Sequence, residues 1–187
     1  MIIISQLNWL YFLMLVMSFF DLISSRHSTR AFKEQKMSES VIEKILTAAT
    51  KASSAGNLQS YQIFVVTKKE DKKRLAVAAH EQDFIENASA VFVFCADPVT
   101  SASEYGKRGE DLYCIQDATI ACTYAQLAAH SLGFSSIWIG SFIEEEVAKI
   151  LNLSSGLRTV AMLVVGISAE NPQITTRRPL NEIIHTL

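Results

Sequence analysis

The run Val91-Phe92-Val93-Phe94-Cys95 carries no polar side chain. A strand with one wet face alternates apolar and polar residues, so an unbroken apolar run reads as a strand from mid-sheet, covered on both faces. That requires a layer of chain on each side. The remaining sequence supplies suitable pieces. Residues 39–51 read as an amphipathic helix, with Val41, Ile42, Ile45, Leu46 and Ala49 on one stripe and Ser38 as its N-cap. Residues 69–80 and 144–151 read as further helices. Residues 110–132 read as a long helix, apolar on most sides and closed by Gly133, hence buried in the core or against a second subunit. Strands are expected at 62–67, 88–96, 134–139 and 159–167. The small, polar segments 52–60 and 97–109 read as loops. The alternation gives an α/β or α+β sandwich, with helices over a central sheet.

The first 16 residues carry no charge and are almost wholly apolar. A signal peptide would need a positive start and a small-residue cleavage site, which are absent. A membrane span needs about 20 apolar residues, and Ser5, Gln6, Asn8 and Ser18 interrupt this one. The third and favoured reading places the physiological start at Met17, opening a short helix that ends before Arg26. The expected organisation is therefore an apolar extension at 1–20 and one domain over 21–187.

A net charge of −2 argues against a general nucleic-acid binder. Cys95, Cys114 and Cys122 are odd in number and lack paired spacing, so they read as buried thiols of a reducing, cytoplasmic compartment. His80, His130 and His185 show no metal-ligand spacing. Neither a GxGxxG turn nor a P-loop occurs.

Four segments carry polar groups suited to a ligand. In Arg26-His27-Ser28-Thr29-Arg30, read as a helix end and turn, one helical turn separates the arginines, so both guanidinium forks can face one side and pair with phosphate. Its plain alternative is a solvated basic turn. Asn57 and Gln59 follow a string of small residues; their amides suit the polar edge of a flat heterocycle such as a flavin, or simply a turn that tolerates unusual backbone angles. Ile137, Trp138, Ile139 and Gly140 close a strand, a favoured ligand position in open sheets, although Trp138 alone reads as core. Arg177 and Arg178 form a second basic pair, or a solvated tail.

In order and spacing these segments resemble the flavin-dependent nitroreductase-like family. Arg26-His27-Ser28-Thr29-Arg30-Ala31-Phe32 is similar to the family's opening motif, Asn57-Leu58-Gln59 to its Asn-x-Gln, and Ile137-Trp138-Ile139-Gly140 follows a long helix carrying Asp117 and Gly133 as in the family pattern. Gly166 followed by Arg177-Arg178-Pro179-Leu180 is similar to the family's ending. The resemblance implies an α+β, three-layer α/β/α sandwich around a mostly antiparallel sheet. It also implies FMN at the interface of an intertwined homodimer, with helix 110–132 as the main dimer contact. Carried over by position, Arg26, Ser28 and Arg30 would hold the phosphate, ribityl chain and pyrimidine edge, with His27 beside the phosphate. Asn57 and Gln59 would meet the ring from the partner subunit, Ile137, Trp138, Ile139 and Gly140 would cover one ring face, and Arg177 or Arg178 would close on the phosphate. The implied activity is reduction of a small electron acceptor such as a nitroaromatic or quinone by NAD(P)H, in ping-pong order, with no protein nucleophile. Ser60-Tyr61 stands where the family often has Pro-Trp, and the segment 97–109, with Tyr105, Lys107 and Arg108, stands where a substrate lid is expected. The rival from another class is a flavin-binding carrier or sensor without turnover.

Overall fold

The computed structural model describes residues 18–187. The apolar segment 1–16 and the start at Met17 lie outside the described residues.

The chain runs α1 (Phe19–Ser25), β1 (Phe32–Lys33), α2 (Glu39–Ala49), β2 (Tyr61–Val66), α3 (Lys69–Ala78), α4 (Phe84–Asn87), β3 (Ala90–Ala96), α5 (Pro98–Arg108), α6 (Cys114–Ser131), β4 (Ser135–Ile139), α7 (Glu144–Leu151) and β5 (Arg158–Ser168). Strand β5 is the hub. It pairs antiparallel with β3, β4 and β1, and β3 pairs antiparallel with β2. All seven residues of β3 are buried, as its composition requires. Side chains alternate across a strand, and here the two sets enter separate cores. Val91, Val93 and Cys95 pack with Leu75, Ile85 and Val147 from α3, α4 and α7. Ala90, Phe92 and Phe94 pack with Ile45, Ala49, Cys122 and Ala125 from α2 and α6. The fold is a three-layer α+β sandwich about an antiparallel sheet.

The expected loop 97–109 is instead mostly helix α5. Asp97 caps it, accepting the Thr100 N–H at 2.9 Å and the Thr100 hydroxyl at 2.8 Å, and Pro98 occupies the first turn, where its missing N–H costs nothing. Small residues are needed there because α5 folds back tightly: a Cβ on buried Gly109 would lie 2.4 Å from the Ser101 carbonyl oxygen. A π-helical turn, Gly109–Tyr113, joins α5 to α6. Helix α6 therefore begins later than expected. One side is buried against the sheet and α2, whereas Ile120 and Tyr124 remain 36% and 40% exposed. Among the described residues no helix is long and apolar enough to cross a membrane.

Candidate functional site

Helix α1 stops at Ser25, and Arg26 is already extended at φ −70°, ψ 119°. The expected helical turn between Arg26 and Arg30 is therefore absent. The segment runs beside β4 instead: Ser28 bridges Ser136 in parallel, and the Thr29 N–H donates to the Ser136 carbonyl at 3.1 Å. On an extended chain alternate residues share a side, so Arg26, Ser28 and Arg30 still belong to one face, spread over about 13 Å. Thr29 is buried and pins the strand, while Arg30 is exposed. The Arg30 backbone N–H donates to the Glu170 carboxylate.

Positive groups gather around Arg26. Burial and then Arg177 push its guanidinium below the ordinary arginine range. His130, in the last turn of α6, lies 2.9 Å from the Ser25 hydroxyl through Nε2, and burial, with Arg26 and His27, pushes its imidazole down. The ion pairs among the described residues include neither Arg26, Arg30 nor Arg177. A partly desolvated guanidinium repelled by a second arginine gains most from an anion with several acceptor oxygens. The donor set fits the phosphate of FMN. Between the paired arginines of the tail, Arg177 is the one beside Arg26. Arg178 is turned to Glu182, donating from Nε to the carboxylate at 3.2 Å and from Nη2 to the carbonyl at 3.1 Å.

At the end of β4 the side chains of Ile137 and Ile139 point into the core, each 4% exposed. Neither side chain is available to cover a ring. The backbone is, and Trp138, packed against the core under α2 and α6, is only half-buried. The Ser136 carbonyl faces outward to Thr29, and alternate residues direct their backbone groups to the same edge, so the Trp138 N–H and C=O face that edge beyond the bridge. Gly140 is exposed, and a Cβ there would lie 3.7 Å from the Trp138 Nε1.

The loop after α2 is held in an unusual shape. Gly56, Asn57 and Gln59 have φ of 56°, 57° and 52°, a region that costs non-glycine residues about 1–2 kcal/mol each. The buried carboxylate of Asp117 pins the loop at both ends, accepting the Ala55 N–H at 3.0 Å and the Ser60 N–H at 3.3 Å. The Ser54 hydroxyl accepts the Gln59 N–H at 3.1 Å, and the Gln59 side-chain amide donates to the Asn57 carbonyl at 3.1 Å. Both side chains are exposed. Strain that persists because neighbours over-determine it is characteristic of functional loops.

One chain does not bring the two halves together. The Asn57 loop hangs from Asp117 near the start of α6, and the arginine segment touches His130 near its end. Thirteen helical residues separate those anchors by about 20 Å. Sequence reasoning assigned no role to His130, whose partner Ser25 is 105 residues away. Asp117 entered only through the resemblance, without its role as the loop's anchor.

Three comparisons place the chain among known proteins. The nitroreductase family model matches residues 23–167. A putatively named NADH dehydrogenase/NAD(P)H nitroreductase of Archaeoglobus fulgidus is 38% identical over 136 residues, 73% of this chain and 75% of that protein. An FMN reductase (NADPH) of Bacillus subtilis is 26% identical over 88% of this chain and 72% of its own length. Among solved structures, the NADPH:FMN oxidoreductase of Vibrio harveyi complexed with NAD+ superposes with a TM-score of 0.81 at 26% identity, covering 89% of this chain and 76% of that one. The extent of the family match, together with the shared fold, establishes that the chain belongs to the nitroreductase family.

Proposed function

We propose that the protein is an NAD(P)H-dependent flavin oxidoreductase that binds FMN and reduces a small electron acceptor, such as a nitroaromatic or a quinone, in ping-pong order. The observation that carries this reading is the partly buried guanidinium of Arg26, with Arg177 and His130 beside it and neither arginine in an ion pair among the described residues. The names of the relatives point the same way: an NAD(P)H nitroreductase and an FMN reductase.

In this reading Arg26 and Arg177 hold the phosphate, with His27 and His130 beside it. Ser28 and Arg30, on the same face of the extended segment, reach the ribityl chain and the pyrimidine edge. Trp138 and the outward backbone of β4 border the ring. FMN held there would supply the two-electron redox chemistry between NAD(P)H and the acceptor. The chain itself orients the two reactants and keeps the loop amides in place.

Asn57 and Gln59 come from a second copy. A twofold axis across α6 would set the helix antiparallel to its own copy, bringing the Asp117 end of one protomer beside the His130 end of the other. The exposed Ile120 and Tyr124 supply apolar surface for that contact. The three unpaired, buried cysteines suit the reducing cytoplasm.

The test is the absorption spectrum of purified, dialysed protein, followed anaerobically as NADH and then NADPH are added. Flavin bands that bleach support the reading and choose the donor. Persistent flavin bands favour a flavin carrier or sensor instead. Absence of bands after reconstitution with FMN overturns the cofactor assignment.

A further inference from the structure

A separate cleft of about 780 Å³ opens at the far side of β1. Its walls come from the link between β1 and α2, the turn between β2 and α3, and Ala88-Ser89 ahead of β3. Its volume falls within the range of small-molecule sites. None of the segments assigned to the flavin lines it.

Three independent features of this cleft suit an oxyanion. First, Lys72 lines it while only 6% exposed, and its ammonium donates to the Ala88 carbonyl. An ammonium has three donors, and no carboxylate lies within ion-pair distance of this one among the described residues. Buried charges are ordinarily paired. Burial pushes its pKa down; Glu34 opposes this, Lys69 adds to it, and Glu86 opposes it less. Second, Ser89 is 6% exposed, lines the same cleft, and its hydroxyl has no hydrogen-bond partner. Third, α3 begins at the cleft with Lys68 at its N-cap and no side-chain cap, leaving first-turn N–H groups without a side-chain acceptor, while Glu70 and Asp71 in the same turn offset part of the helix dipole.

The charge balance agrees. Lys36, Lys68, Lys69 and Lys72 line the cleft against Glu34 and Glu39. Glu34 is drawn aside by Lys69 at 2.9 Å, an exposed pair. Met37 and Ile42 give the remaining wall an apolar surface.

We propose that this cleft is a second ligand site, binding the phosphate group of a small molecule between Lys72, the Ser89 hydroxyl and the start of α3. The phosphate satisfies the ammonium and the hydroxyl together, and the body of the ligand lies on Met37 and Ile42. The site does not depend on the flavin reading.

The probe is inorganic phosphate, titrated into isotopically labelled protein carrying one equivalent of FMN, with amide chemical shifts as the readout. Saturable shifts at Lys69, Glu70, Asp71 and Ser89 are expected, with the midpoint raised about tenfold or more in Lys72→Gln, the scale of one lost charge-assisted contact. Ser89→Ala removes only a hydroxyl, keeps the fold, and should raise the midpoint severalfold. The proposal is overturned by shifts confined to residues 26–30, by shifts that sodium chloride at equal ionic strength reproduces, or by an unchanged midpoint in Ser89→Ala. Because each amide reports its own site, failure here is distinct from failure of the FMN assignment.

Discussion

The carboxylate of Asp117 and the backbone N–H of Ser60 lie 57 residues apart in sequence and 3.3 Å apart in space. With the second oxygen on Ala55 at 3.0 Å, the carboxylate closes a loop whose backbone would otherwise relax. Asp117→Asn keeps the shape but turns an amide N–H toward one of those donors. The expected loss is roughly 2–3 kcal/mol, since the bonds are charge-assisted and buried. Urea denaturation measures it, and FMN titration should show weaker binding although Asp117 is assigned no contact with the cofactor. Wild-type stability in this variant would remove the anchoring role.

Gly56 and Tyr105 offer a cleaner separation of causes. At Gly56 the backbone φ is 56°, and a Cβ would stand 2.5 Å from the Tyr105 hydroxyl oxygen. Gly56→Ala therefore pays twice, once for the left-handed backbone at about 1 kcal/mol and once for the collision. Adding Tyr105→Phe removes the colliding oxygen and should restore only the steric part. A thermal-melt double-mutant cycle reads the difference, and a coupling energy of zero would rule out the contact.

Arg26→Ala should move two quantities in opposite directions. Removing one of two repelling guanidinium groups leaves the flavin-free protein as stable as before or slightly more so. FMN affinity should fall about 10- to 150-fold, the value of a charge-assisted phosphate contact of roughly 1.5–3 kcal/mol. Fluorescence titration with FMN, alongside a melt of the apoprotein, tests both. A variant that retains its flavin through dialysis as wild type does would refute the assignment.

His130 carries a pH dependence of definite sign. Burial, with Arg26 and His27, holds its folded pKa below the ordinary value of 6.5. The unfolded chain then takes up the proton first, so the stabilisation is complete above about pH 6.5 and is lost as pH falls through the lower, folded value. Apoprotein stability should drop as pH falls below about 6.5, and the drop should be smaller in His130→Asn. Saturating FMN should flatten the profile, because the phosphate favours the imidazolium. Parallel pH profiles of the two proteins with the same slope would exclude His130 as the source.

The parts of the fold that were legible in the sequence are those decided locally. The apolar run at 91–95 announces a strand covered on both faces, and the stripe through Ile45 and Ala49 announces a helix lying on it. Helix α5 was hidden because Thr100, Ser101, Ala102 and Ser103 carry little helical pattern, although Asp97-Pro98 was a readable start signal. The arginine pair was misread in conformation. An i, i+4 spacing fits one helical turn, but the same residues share a face when extended, and only the bridge to Ser136 decides between them. The gathering of Arg26, Arg177 and His130 was partly legible, through the resemblance, and its histidine was not. The anchors Asp117 and His130 act across 57 and 105 residues, and no periodicity reports such distances.

Helix α6 also sets a limit on which lengths of this chain can vary. One residue added between Asp117 and His130 would turn the far end by about 100° and advance it about 1.5 Å. The loop and the cationic group would then lose their common frame, whichever protomer each serves. Across relatives, length differences should spare the stretch between the two anchors.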